Sequence, residues 1–206
     1  MVPPFEAEII TDIPDSLATG IGKVIVAYAR LEHKLTALSA VILQLHRSEV
    51  RVAFRMPRAV ERLDMALDLL ALKDIHPKTD VAALREIVTA AASARDILSH
   101  GIWLRHPETG QLYVQITRGR WPKDLSLGEN VSRAIFPQSL PYGPDDCTKA
   151  LQLCLRGIEG ADELGAEIDE AMLAFPDRFR PPLRPLNPLG SRKSPSKPPP
   201  HGPSRR

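Results

Sequence analysis

The chain has 206 residues, of which 43% are hydrophobic, so it is long and apolar enough for one domain with a substantial core. Its formal net charge of +2 is unevenly distributed, because residues 176–206 contain eight of the 27 Lys and Arg residues and one of the 25 acidic residues. Residues 1–175 therefore carry 19 basic and 24 acidic side chains, a net charge of −5. This balance excludes a broad basic surface for duplex nucleic acid in the folded part.

Cysteine spacing and hydropathy indicate the setting in which the chain works. Cys147 and Cys154 are seven residues apart in a predicted helix, which separates their Cα atoms by roughly 10 Å, too far for a disulfide. Two reduced thiols favour the cytoplasm. The N-terminal sequence lacks the pattern of a signal peptide, no apolar stretch reaches the roughly 20 residues of a membrane helix, and no metal-type Cys and His spacing is present. We therefore predict a cytoplasmic protein that uses neither membrane, metal nor cofactor.

The first predicted helix has the clearest pattern in the chain. Residues 1–15 contain Pro3, Pro4 and Pro14 and predict an extended lead-in, and a helical domain is predicted over residues 16–175. Its first apolar seam alternates steps of three and four residues and comprises Ile21, Val24, Tyr28, Leu31, Leu35, Leu38, Ile42 and Leu45. This spacing predicts a long amphipathic helix that packs in a bundle or across a dimer. Glu32 lies beside the seam.

Two more helices are predicted before residue 101. The apolar face of the second comprises Val60, Leu63, Leu67 and Leu70, and His76-Pro77 ends it. Thr79 or Asp80 caps the third. The apolar stripe of the third helix comprises Val81, Leu84, Val88, Ala91, Arg95 and Leu98, so it is interrupted once, by an arginine. Gly101 is a natural residue to follow a helix end.

After Gly101 the apolar period becomes alternating. Residues 102–117 alternate around a turn at 107–110 and predict a β-hairpin. Residues 118–142 look irregular, Pro144 and Asp145 open a fourth helix, and residues 176–206 are Pro-rich and basic, which predicts a disordered tail. The predicted fold is all-α, a bundle of four main helices with a small β-hairpin inserted after the third helix.

Arg95 fits its position poorly, because an arginine stays charged and is costly to bury without a partner. It reaches solvent, lines a polar cleft or pairs with a carboxylate. Asp96 is a poor candidate partner, since adjacent helical residues point about 100° apart. Among the carboxylates we expect Glu32, in a buried ion pair that would fix the register of the first and third helices.

His100 follows Arg95 by five residues, about 140° around a helix, so the two side chains do not converge on one straight helix. They meet if the helix ends at Ser99 and His100 turns back, or if a second copy of the chain supplies the other half. Alone, His100 is explained as a cap of the helix C-terminus. Paired, a histidine that exchanges protons near neutral pH and an arginine that stabilises phosphate charge suit metal-free RNA cleavage. In that reaction the ribose 2′-hydroxyl attacks the adjacent phosphate.

The sequence ASARDILSHGIW, at residues 92–103, follows a long seam helix and a second helix and resembles the HEPN superfamily. The hallmark of that family is an arginine, four to six residues and a histidine near a helix end, and here four residues separate Arg95 from His100. The family most often has Asn after the arginine. Asp96 stands there in this chain and would place a negative charge beside the phosphate site. The resemblance covers roughly residues 16–175, and its specific part is about a dozen residues long.

The resemblance implies a homodimer whose two motifs face one cleft, and a metal-independent endoribonuclease of the kind found in toxin–antitoxin and defence systems. Arg95 would orient and stabilise phosphate, His100 would be the general acid or base, and Asp96 would position them. Glu32 is inferred from the seam alone. RNA would be the substrate, and an antitoxin or other protein a further partner. The alternatives are a non-catalytic HEPN-like dimerisation or interaction module, in which Arg95 is structural, and a bundle unrelated to the family.

Two features outside the motif offer further contacts. Trp103, Tyr113 and Trp121 follow the motif and either stack on unpaired bases or pack the hairpin against the bundle. The basic tail either attracts RNA or an acidic partner, or acts as a solvating tail or a Pro-rich docking segment.

Overall fold

In the computed structural model, the described parts of the chain are residues 8–53, 58–116 and 138–179. Their elements, in chain order, are β1 (Glu8–Ile9), α1 (Asp15–Ile42), α2 (Arg47–Ala53), α3 (Ala59–Leu72), α4 (Val81–His100), β2 (Ile102–Arg105), β3 (Leu112–Ile116), β4 (Gln138–Pro141), α5 (Pro144–Ala174) and α6 (Pro176–Phe179). These parts form a mostly helical fold with a small antiparallel sheet. No helix within them is both long enough and apolar enough to cross a membrane.

The long helix α1 lies at the centre of the bundle, between α3 and α5 and next to α4. The predicted seam is confirmed from Val24 to Ile42, where its six residues are buried, but α1 ends before Leu45, the last residue of the predicted seam. Each leucine buried in this way contributes roughly 1.5–3 kcal/mol. The helix therefore holds its position chiefly through its seam.

The start of α4 is fixed by two sets of hydrogen bonds. Asp80, one of the two residues predicted as the cap, caps the helix, its Oδ1 accepting from the amide of Ala83 at 3.0 Å. Glu167 of α5 accepts from the amides of Lys78 and Thr79, at 2.6 and 3.0 Å, and from Thr79 Oγ1 at 2.8 Å. Four stripe residues of α4 are buried, namely Leu84, Val88, Ala91 and Leu98. This anchoring sets where the last turns of α4, which carry the motif, lie.

The sheet contains the predicted hairpin and two strands that were not predicted. β2 and β3 pair antiparallel, with Trp103 opposite Val114, and the strand order is β1-β2-β3-β4. β1 lies in the lead-in, which was predicted to be extended, and β4 lies in the stretch expected to be irregular, so the second expectation is wrong over residues 138–141. Each outer strand covers an edge of the hairpin that would otherwise leave backbone groups unpaired. β1 and β4 are two and four residues long, which is too short for an alternating pattern of apolar and polar residues to reveal a strand.

The C-terminal part of the described structure is helical up to Phe179. α5 runs without interruption over 31 residues, and α6 follows it, so the first four residues of the predicted tail form a short helix. The side chain of Phe179 is 3% exposed and belongs to the core. Residues 180–206 lie outside the described residues. Cys147 and Cys154 are both buried and free, in agreement with the prediction that they form no disulfide.

Candidate functional site

The Arg–His motif occupies the last turns of α4, where the helix meets the sheet. The amide of Gly101 donates to the carbonyl of Ile97 at 2.9 Å, and β2 begins at the next residue. α4 is helical through His100. The route in which the helix ends at Ser99 and His100 turns back towards Arg95 is therefore excluded.

Arg95 is half-buried between α4 and α1 and is held by two groups. Its Nη1 donates to Oδ1 of Asp96 at 2.9 Å, and its guanidinium carbon lies 5.5 Å from the ring centre of Tyr28. Such an approach to an aromatic face is a cation–π contact. The side chain of Arg95 is 35% exposed, so a ligand in solvent reaches one side of the guanidinium. Arg95 is therefore bound by Asp96, the carboxylate that was expected to be a poor partner because adjacent helical residues point apart.

The expected ion pair between Arg95 and Glu32 is wrong, because Glu32 is paired with an arginine of α3. Arg62 Nη2 lies 3.8 Å from Oε1 of Glu32. Nη1 of the same arginine donates to Thr36 Oγ1 at 2.6 Å and to the Glu32 carbonyl at 3.2 Å. Glu32 faces α3, whereas Tyr28, one turn earlier on α1, faces α4. The arginine that fixes the register of two helices is thus Arg62, between α1 and α3.

Tyr28 lies at the centre of these charges. Burial, and to a smaller extent the carboxylates of Glu32 and Asp96, raise the pKa of its phenol, and the guanidinium groups of Arg95 and Arg62 lower it, with a net rise to about 12. The phenol is therefore neutral at physiological pH and supports Arg95 through its ring. Sequence reasoning placed Tyr28 on the seam and missed this contact. The contact could have been suspected from the sequence, because Arg95 interrupts the apolar stripe of one helix and the aromatic residue Tyr28 lies on the seam of another.

His100 lies on a different side of α4 from Arg95. It is exposed and lines a groove of about 830 Å³ between α3, the end of α4 and the strands β2 and β3. Asp96, one turn before His100, lines the same groove, whereas Arg95 does not. Asp96 is therefore the link between the two motif residues within one copy of the chain, since it binds Arg95 and shares the groove with His100.

The groove contains charges of both signs. The basic side chains at its walls are Arg58, Arg85 and His100, and the acidic ones are Glu61, Asp64 and Asp96. Arg85 and Asp64 are joined by two hydrogen bonds, Nε to Oδ1 at 2.8 Å and Nη2 to Oδ2 at 3.1 Å. This pair connects α4 to α3 across the groove. An anionic ligand would meet the guanidinium of Arg58 and the imidazole of His100, but not a uniformly basic surface.

The aromatic residues after the motif do not line this groove where they are described. Trp103 packs against the core and contacts Tyr142 edge to face, with ring centres 5.8 Å apart. Tyr113 is half-buried in β3, and its hydroxyl lies 3.3 Å from Gln111 Oε1. Trp121 lies outside the described residues. Base stacking by these three residues stays a prediction, and the contact of Trp103 is with the fold itself.

The described residues contain no group of three or more His, Cys, Asp or Glu side chains arranged to hold a metal ion. No protein-family model, no curated protein and no solved structure matches the chain.

Proposed function

We propose that the chain is a metal-independent endoribonuclease of HEPN type that acts as a homodimer, with Arg95 and His100 as the catalytic residues. One observation carries the proposal. The exposed His100 and the partly exposed Arg95 lie on different sides of the end of one helix, and Asp96 binds Arg95 and lines the same groove as His100. A second copy facing this end would bring the arginine of one subunit towards the histidine of the other. The resemblance suggests a role in a toxin–antitoxin or defence system, and the two buried thiols favour the cytoplasm.

The proposed reaction needs only proton transfers and charge stabilisation. A histidine removes the proton from a ribose 2′-hydroxyl, whose oxygen attacks the neighbouring phosphorus. The bond from phosphorus to the 5′-oxygen breaks, and the same histidine, now protonated, gives that oxygen its proton. Arg95 stabilises the extra negative charge on the phosphoryl oxygens. The products are a 2′,3′-cyclic phosphate and a 5′-hydroxyl.

Asp96 has a defined part in this scheme. In the free protein its carboxylate neutralises Arg95 at 2.9 Å, and a phosphate approaching the guanidinium competes with that carboxylate. Asp96 is thus a positioning residue that holds Arg95 until the substrate binds. Glu32 has no direct part, because Arg62 engages it.

A second candidate function is a non-catalytic dimerisation or interaction module. It is favoured by the two contacts that already occupy Arg95, the Asp96 carboxylate and the Tyr28 ring. In that case the arginine stabilises the packing of α4 on α1 and no RNA is cleaved.

Cleavage of RNA in the presence of EDTA separates the two candidates. The wild-type protein should cleave single-stranded RNA, and Arg95→Ala and His100→Ala should each lower the rate by about 100-fold or more. Matched controls are Arg156→Ala and His33→Ala, which change an exposed arginine of α5 and an exposed histidine of α1 outside the groove. The controls should retain the wild-type rate, and thermal melts should show that all four variants are folded.

Two outcomes contradict the ribonuclease. One is cleavage that survives either motif substitution. The other is a wild-type protein that forms dimers but leaves RNAs of varied sequence intact, which is the behaviour expected of the module.

A further inference from the structure

A second groove, remote from the motif, lies between the C-terminal ends of α3 and α5 and has a volume of about 460 Å³. Its floor is apolar and includes the buried side chains of Leu70, Leu164 and Ile168. The ring of Phe175, 48% exposed, forms part of one wall. This volume lies in the range of sites that take small ligands or the side chains of a peptide.

The chain leaves the described structure at the wall of this groove. Nη1 of Arg178 donates to the carbonyl oxygens of Asp74 and Lys73, at 2.6 and 3.3 Å, and the Lys73 ammonium donates to the Arg178 carbonyl at 2.8 Å. Phe179 is buried, with the Lys73 ammonium 5.1 Å from its ring centre. α6 therefore fixes the point from which residues 180–206 start.

The sequence that follows contains a short repeat. Residues 182–190 read PLRPLNPLG, three consecutive triplets of Pro, Leu and a third residue. A polyproline II helix has three residues per turn and rises about 3.1 Å per residue. In that conformation Leu183, Leu186 and Leu189 would lie along one edge, roughly 9 Å apart. The three-residue period of the repeat thus matches the three residues per turn of a polyproline II helix, which would present its leucines along one apolar edge.

We propose that residues 182–190 bind as a polyproline II helix in the groove between α3 and α5 of their own chain, with the leucine edge against its apolar floor. The four residues from Phe179 to Leu183 span at most about 14 Å, which reaches a groove whose wall includes Phe175 and Arg178. A tether this short gives an effective concentration in the millimolar range, so the segment of the same chain outcompetes that of a second copy.

The charges agree with this occupant. Residues 180–190 contain two basic residues, Arg180 and Arg184, and no acidic ones. The groove is lined by three carboxylates, those of Asp74, Glu167 and Glu170, and by two cations, those of Lys78 and Arg178, a net charge of −1. Glu170 is exposed, 3.8 Å from the Lys78 ammonium. The docking is independent of the proposed ribonuclease activity, because the groove shares no residue with the one that His100 lines.

The test uses the full chain and a fluorescein-labelled peptide of residues 181–190. In the variant Leu183→Ser, Leu186→Ser, Leu189→Ser the groove should be vacant and the peptide should bind. In the wild type the chain's own segment competes, so the dissociation constant should be at least about tenfold weaker. Fluorescence anisotropy measures both. A peptide with the same three serines is the control ligand and should bind neither protein.

Two substitutions in the triple-serine variant locate the binding. Ala174 is exposed and lines the groove, so Ala174→Arg should abolish peptide binding. Leu173, 86% exposed, is not among the residues that line it, so Leu173→Arg should leave binding unchanged. Failure of the peptide to bind the triple-serine variant, or binding that survives Ala174→Arg, overturns the proposal. Equal dissociation constants of the peptide for the wild type and the triple-serine variant would show that the chain's own segment does not occupy the groove. A wild type that light scattering shows to be a dimer, beside a monomeric triple-serine variant, would show that the segment binds the groove of a second copy instead.

Discussion

Replacing Gly101 by alanine tests how the end of α4, and with it His100, is fixed against the sheet. Gly101 has φ −72° and ψ 143°, an extended conformation open to any residue, so the cost of a side chain is steric. An added Cβ would overlap Cγ2 of Val114 and lie 2.6 Å from the carbonyl oxygen of Ile97. Val114 is fully buried in β3, and the carbonyl belongs to the helix, so neither group can easily move.

We expect Gly101→Ala to lower the free energy of unfolding by about 1–3 kcal/mol, as extra methyl groups in packed sites do, measured by urea denaturation. Adding Val114→Ala removes one of the two overlaps, so the double variant should lose less than the sum of the single changes. The matched control is Gly22→Ala in α1, where the added methyl meets open space. That change should raise the free energy of unfolding by roughly 0.5–1 kcal/mol. A Gly101→Ala variant within about 0.5 kcal/mol of wild type would refute the close contact.

Three further outcomes are expected. Arg62→Met should cost about 1–3 kcal/mol, because it removes hydrogen bonds of a charged donor between α3 and α1. Arg95→Met should cost less than about 1 kcal/mol, because its ion pair is partly exposed; urea denaturation compares the two, and equal losses would contradict the assignment. The phenol of Tyr28 ionises near pH 10 when unfolded and at a pKa of about 12 when folded, so the native state binds more protons between these values and stability falls as pH rises. In Tyr28→Phe the free energy of unfolding should therefore fall less between pH 10 and pH 12, by on the order of 2 kcal/mol. If urea denaturation gives the variant and the wild type the same dependence of this free energy on pH, the phenol is not desolvated. Burial raises the pKa of Cys154 to about 11 and raises that of Cys147 above its usual value, so a thiol reagent should label either residue only after denaturation. Fast labelling of the native protein would show that these thiols are accessible.

The features that follow from local pattern were predictable from the sequence. The seam of α1 alternates without a polar interruption, and its burial follows directly from that spacing. The same holds for the hairpin of β2 and β3, whose whole signal lies in neighbouring residues. The cap of α4 was narrowed by the sequence to Thr79 or Asp80, and the structure selects Asp80.

The partner of Arg95 was not predictable in this way. Tyr28 and Glu32 are one turn apart on α1, and whether Arg62 or Arg95 reaches each of them depends on how α3 and α4 are placed beside α1. That placement is set by packing of the whole bundle. A stripe that contains an arginine shows that a polar contact is needed, but not which residue supplies it.

Gly101 illustrates a prediction that is right for another reason. A glycine after a helix is usually explained by a left-handed conformation, and the residue does end α4. Its conformation is extended, and the glycine is needed because β3 passes too close for a side chain. The overlap with Val114, 13 residues further along the chain, is not visible in the local pattern.

Mixing two inactive variants tests most directly whether the active site is shared between subunits. Arg95 and His100 lie on different sides of α4. In the proposed ribonuclease a complete site therefore combines the arginine of one subunit with the histidine of the other. Arg95→Ala and His100→Ala homodimers should both be inactive in EDTA. After the two are unfolded together and refolded, about a quarter of the wild-type rate should return, since half of the dimers are mixed and each has one complete site. Mixed dimers that form and yet cleave no RNA, beside an active wild type, would contradict a site shared in this way.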